Sequence, residues 1–199
     1  LLKLQEKSVH DFEKSIPDYI QVLQKLQGDD AAPLSKKELI GERFNLLNKQ
    51  LTHIGLGFIE NDTLQIYNVS SDKKEKNSSL IVETISDFKN VNDIFYFGIW
   101  EYKMTKKNIK KIKSELLKII KTQITFDKKF SLENDNQLYC SEFVYKVLVT
   151  IKELNFKPST IELNRIEQQI LENEKLIYIP VDFFLNNKNI KEIKTENIN

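Results

Sequence analysis

Along the first 26 residues apolar side chains recur near the helical period: Leu1, Leu4, Val9, Phe12 and Ile16, then Tyr19, Ile20, Leu23 and Leu26. The spacing predicts two helical pieces broken at Pro17, whose ring cannot continue an α-helix. Gly28 to Pro33 (GDDAAP) reads as a helix stop followed by a turn. It is the best candidate linker, and it divides the chain into an N-terminal helical extension, residues 1–33, and a domain over residues 34–199.

From Leu51 the period shortens to two. THIGLGFIE, LQIYNVS, SLIVETI and DIFYFGIWEYK alternate, or are rich in β-branched and aromatic residues, and predict four strands of an antiparallel sheet. Asn61-Asp62-Thr63 predicts a tight hairpin between the first two. SSDKKEKNSS, between the second and third, reads as a solvated loop. Thr105 can cap a helix running to Thr122, with Ile109, Ile112, Leu116, Ile119 and Ile120 on one face. A second helix is expected from about Tyr139 to Leu154. A third would start at Ser159 or Thr160 and end near Asn173, followed by a short strand in KLIYIPVDFF that Pro180 terminates.

Composition narrows the classes of function. At 199 residues, 40% hydrophobic and 30% charged, the chain can bury a real core. No apolar run approaches the roughly 18 residues of a membrane span. Thirty basic against 29 acidic side chains leave a net charge of +1, so nucleic acid is disfavoured as a partner. Seven lysines (106, 107, 110, 111, 113, 118 and 121) line one helix face. A solvated face explains them, and an anionic membrane surface is the alternative. One cysteine and two histidines make neither a disulfide framework nor a recognised metal spacing, and no cofactor is expected. The chain opens on Leu1, so a leader could have been trimmed and compartment stays open.

The lone cysteine falls in DNQLYCSEFVYKVL. Asn134, Asp135 and Asn136 favour a helix start, which puts Cys140 in the first helical turn. There the unpaired N–H groups and the helix dipole favour a thiolate and can hold an oxyanion. Of the two histidines, His10 sits beside Asp11 in the N-terminal segment. His53 opens the strand THIGLGFIE beside Gly55 and Gly57, where backbone or substrate can approach closely. A buried thiol and a strand-end histidine would account for the same two residues without chemistry.

LTHIGLGFI and QLYCSEFVYKVL together resemble the circularly permuted papain-like amidases of the YiiX and YebB type, relatives of the NlpC peptidases. In these a strand of the form hydroxyl residue, His, aliphatic, Gly precedes a Tyr-Cys-Ser-Glu helix start. TFDKKF and YIPVDFF are similar to two further segments of that family, and the likeness spans roughly Leu39 to Lys194. The resemblance implies an α+β fold with a small antiparallel sheet packed against helices. It implies Cys140 as nucleophile, His53 as base and a thioester acyl-enzyme formed from an amide of a peptide or peptidoglycan-like substrate. It also implies a cell-envelope or secreted setting. The related lecithin:retinol acyltransferase group makes lipid acyl chemistry the alternative, and a non-catalytic interaction module on the same fold is another.

The family's orienting residue on the next strand aligns with Asn68, where an acid is common. Asparagine can orient imidazole without supplying charge. Glu60 is the alternative orienter, but seven positions beyond His53 an unbulged strand sends it to the opposite face. Tyr139 could line the site, donate to the oxyanion, or pack. Asp127 could bind a substrate amine or cap a turn. Residues 1–33 are free to bind a protein partner, cover the cleft, or pack.

Overall fold

Alternating apolar and polar positions build one six-stranded antiparallel sheet in the computed structural model, which describes residues 2–5, 43–60, 62–70, 78–89, 96–102, 104–165, 167–168, 172–188 and 190–197. The strands are β1 (Leu2–Gln5), β2 (His53–Glu60), β3 (Thr63–Val69), β4 (Leu80–Thr84), β5 (Tyr96–Tyr102) and, last in the chain, β10 (Ile190–Asn197). Their order is β10-β5-β1-β2-β3-β4. The hairpin expected at Asn61-Asp62 is present: Glu60 pairs with Thr63, and Asp62 takes the positive φ of 59° that so short a loop demands. Two-stranded pairs join β6 (Thr125–Phe126) to β7 (Gln137–Leu138) and β8 (Ser159–Glu162) to β9 (Lys175–Tyr178).

Among the described residues three helices pack on this frame: α1 (Ile85–Lys89), α2 (Lys106–Ile120) and α3 (Cys140–Leu148). Thr105 caps α2 as expected, its side chain accepting from the Asn108 N–H at 3.2 Å. One sheet face sends Ile54, Leu56, Tyr67, Val69, Leu80, Trp100 and Tyr102 into the main core with Ile112 and Leu116 of α2 and Phe143, Val144 and Val147 of α3. The opposite face carries a smaller cluster of Ile66, Phe97 and Phe88, the last supplied by α1. α1 is a local construction of its sequence: Thr84 and Asp87 cap one another, with Asp87 N–H donating to Thr84 Oγ1 at 3.2 Å and Thr84 Oγ1 donating back at 2.7 Å.

Several expectations are corrected. Leu2–Gln5, read as the start of a helix, is a strand inside the sheet between β2 and β5. Leucine at positions 2 and 4 fits a period of two as well as a helix, and two flanking strands decide the outcome. The rest of residues 1–33, and with it the N-terminal helical extension, lies outside the described residues. The helix expected from Ser159 begins instead as β8, because Thr160 and Ile161 pair with Ile177 and Leu176. Helical backbone follows at residues 165, 167 and 168. The helix expected to reach Leu154 ends at Leu148, and a 3-10 turn over Lys152–Leu154 stops at Asn155 with φ 48°. β-Branched Val149, Thr150 and Ile151 in succession disfavour its continuation.

Candidate active site around His53 and Cys140

His53 is the first residue of β2 and is 4% exposed. Its ring stacks on Phe88, centroids 5.6 Å apart, and its Nε2 lies 3.1 Å from Asn68 Oδ1. The hairpin register explains the reach. One step beyond the Leu56–Tyr67 pair, Asn68 stands opposite Gly55, so His53 must bridge diagonally past that position. A Cβ on Gly55 would stand 2.7 Å from Ile66 Cγ2 and 3.3 Å from Asn68 Cβ. The missing side chain thus accommodates the partner strand's side chains.

Asn68 continues the line. It is 1% exposed, and its Nδ2 donates to Glu83 Oε1 on β4 at 2.9 Å. Glu83 sits diagonal to Asn68 because Asn68 pairs with Ile81. Sequence reasoning missed Glu83. The β2–β3 register follows from a recognisable two-residue turn, whereas the β3–β4 register is set across SSDKKEKNSS, which holds no turn signal.

Cys140 opens α3, as the motif requires, yet the cap is Tyr139 and no side chain fills it. Asn134 to Asn136 form a turn of their own, with Asn136 N–H donating to Asn134 Oδ1 at 2.9 Å, and β7 intervenes. The uncapped end leaves first-turn N–H groups for the sulfur. Burial pushes the thiol up to about 11, against the lowering pull of the N–H groups of Ile54, Ser141 and Cys140 itself. Ile54 follows His53 directly in β2, and the two side chains alternate across the strand, Ile54 into the main core with Cys140 and His53 toward Phe88.

The residues flanking Cys140 grip one residue of the chain after β9. Ile179 N–H donates to Tyr139 Oη at 2.7 Å, and Ser141 Oγ donates to Ile179 O at 2.6 Å. Tyr139 is 3% exposed and its ring packs on Phe130. Its hydroxyl therefore clamps the helix start. Asp127 caps a turn: its two oxygens accept from the N–H of Lys129 at 2.8 Å and of Ser131 at 2.7 Å. At 4% exposure it takes the turn-capping place that the sequence offered as one of its two roles. Glu60 accepts from Tyr67 Oη at 3.1 Å, away from the imidazole. Glu142, fully buried, lies 3.1 Å from Lys146 Nζ, and burial pushes its carboxyl up to about 7 against the pull of that ammonium.

Asp182 accepts three backbone N–H groups, those of Leu46, Leu47 and Asn48. The segment so fixed leads into His53. Clefts of about 690 Å³, around Leu132, Glu172 and Leu176, and of about 310 Å³, around Leu46, Phe156 and Asp182, lie apart from Cys140 and His53.

No family model matches the chain, and no curated protein matches it. Among solved structures it is similar to the crystal structure of metalloprotein yiiX from Escherichia coli O157:H7, DUF1105, with a TM-score of 0.54 and 13% identity. The match covers 75% of this chain and 85% of that one. At that identity the likeness is one of fold, and the chain is a mixed α/β protein with a yiiX-like fold.

Proposed function

We propose that the chain is a cysteine-dependent hydrolase with a permuted papain-like core, cleaving an amide of a peptide or peptidoglycan-like substrate through a thioester. One observation carries the reading: His53 is hydrogen-bonded to Asn68, while the Cys140 sulfur is held at a helix start against the N–H of the next residue, Ile54. The order His before Cys and the yiiX-like fold support it. His53 takes the thiol proton as the sulfur attacks the carbonyl carbon. The Cys140 N–H holds the oxyanion, and the imidazolium protonates the departing amine. Water, deprotonated by His53, then releases the acid and restores the thiol.

The surroundings keep the proton on sulfur well above neutral pH, so reactivity at pH 7 rests on the imidazole during attack. Single-turnover acylation by a p-nitrophenyl ester tests this. At pH 7 His53→Ala should lose at least about a hundredfold, the usual scale of general-base assistance, and recover only as pH nears 11. If both proteins follow one thiol titration, the reading fails.

The neighbour's description as a metalloprotein raises a metal as an alternative. Among the described residues no three of His, Cys, Asp and Glu form a group that could hold one. His53 Nε2 faces Asn68, and the Asp127 oxygens face backbone N–H groups. The donor set of the described residues does not fit, and no step runs through a metal.

A second reading, a non-catalytic interaction module, is favoured by the 7% exposure and raised proton affinity of Cys140. It predicts no rate loss in His53→Ala. The lipid variant of the hydrolase rests on α2, where Lys106, Lys107, Lys110, Lys111, Lys118 and Leu117 are exposed. Co-sedimentation with anionic vesicles separates it from the peptide variant.

A further inference from the structure

A side-chain amide presents an oxygen at one corner and an NH₂ at the other, and only its partners decide which way it faces. Asn68 is wedged between two buried partners with different abilities. The imidazole of His53 can either donate or accept at Nε2, depending on its tautomer. Glu83, as a carboxylate, only accepts, and it stands 2.9 Å from Asn68 Nδ2. A flipped Asn68 would set Oδ1 against the carboxylate, acceptor against acceptor, at a site 1% to 9% exposed where water does not relieve the conflict.

We propose that Glu83 is a positioning residue for His53: it turns Asn68 Oδ1 toward the imidazole, so that Nε2 carries the proton and Nδ1 is left as the base. The line runs diagonally across three strands, from His53 on β2 through Asn68 on β3 to Glu83 on β4. This deepens the hydrolase reading in its catalytic consequence, while the tautomer of His53 can be read without it.

The test is ¹⁵N NMR of the imidazoles in the full chain, which has only two histidines, so His53→Ala assigns them. In the unaltered protein the neutral form of His53 should carry its proton on Nε2. Glu83→Gln gives Asn68 a neighbour that both donates and accepts, and should yield a mixture of tautomers. The swap Asn68→Asp with Glu83→Gln makes the middle group acceptor-only toward His53, and should restore a single Nε2–H form even if Glu83→Gln alone fails to fold. An unchanged tautomer in Glu83→Gln, or a mixture in the swap, overturns the proposal.

Ester acylation adds a second readout. Glu83→Gln should slow it about tenfold at pH 7, the scale of one charge-assisted hydrogen bond, and should cost nothing further in a His53→Ala background. An equal loss in both backgrounds would show a structural effect and overturn the positioning role. If His53→Ala costs no rate at all, the hydrolase reading falls while the tautomer still decides the role of Glu83.

Discussion

The two halves of the candidate site are built by different means. On the histidine side the partners are side chains: Nε2 meets an amide, the amide meets a carboxylate, and a phenyl ring covers the imidazole. On the cysteine side the sulfur meets backbone, the N–H groups of Ile54, Ser141 and Cys140, while Tyr139 and Ser141 fix the helix start on Ile179. A site half made of side chains is tunable residue by residue. The half made of backbone depends on where a whole helix is docked, and packing rather than polarity sets that.

The sharpest break of the comparison is therefore through packing. Phe143 is fully buried in α3, and Phe143→Ala should cost about 3–5 kcal/mol in urea unfolding and loosen the cysteine half. The histidine half should respond less, visible as a His53 imidazole resonance that moves less than the signals of α3.

Next come the clamps. Tyr139→Phe leaves the Ile179 N–H buried without its acceptor, a loss of about 1–3 kcal/mol, and Ser141→Ala does the same to the Ile179 carbonyl. Both should leave the His53 tautomer alone. A tautomer change in either would show that the halves are coupled more tightly than their contacts imply.

A third outcome concerns pH. Glu142 holds its proton up to about pH 7 in the folded chain, against an ordinary value of 4.5. The folded state therefore binds more protons between these values, and the Glu142 contribution to stability falls as pH rises from about 4.5 to about 7. Urea midpoints measured across that range should show the fall, and Glu142→Gln should flatten it. The smallest expected effect is at the surface. Lys129→Ala breaks an exposed pair with Glu172 at 2.8 Å, and the urea midpoint should not move measurably.

Legibility followed the range of the interactions. Thr105 as a cap, the Asn61-Asp62 turn and the strand alternation around it involve neighbours in sequence, and each is where the pattern put it. The helical ambiguity of Leu2 and Leu4, and the cap-like Ser159-Thr160, were resolved by strands far along the chain. No local pattern could have resolved them.

The site divides in the same way. By itself the sequence set a cysteine in the first turn of a helix and a histidine at a strand start, because helical period and strand alternation are local, while Asn68 came from the family resemblance and only the strand register stands it diagonal to His53. Tertiary structure decided that Glu83 backs Asn68, that Tyr139 and Asp127 serve the backbone, and that burial holds the thiol protonated. Each of these depends on strand register between segments distant in sequence or on exclusion of water, and both arise only when distant segments pack together.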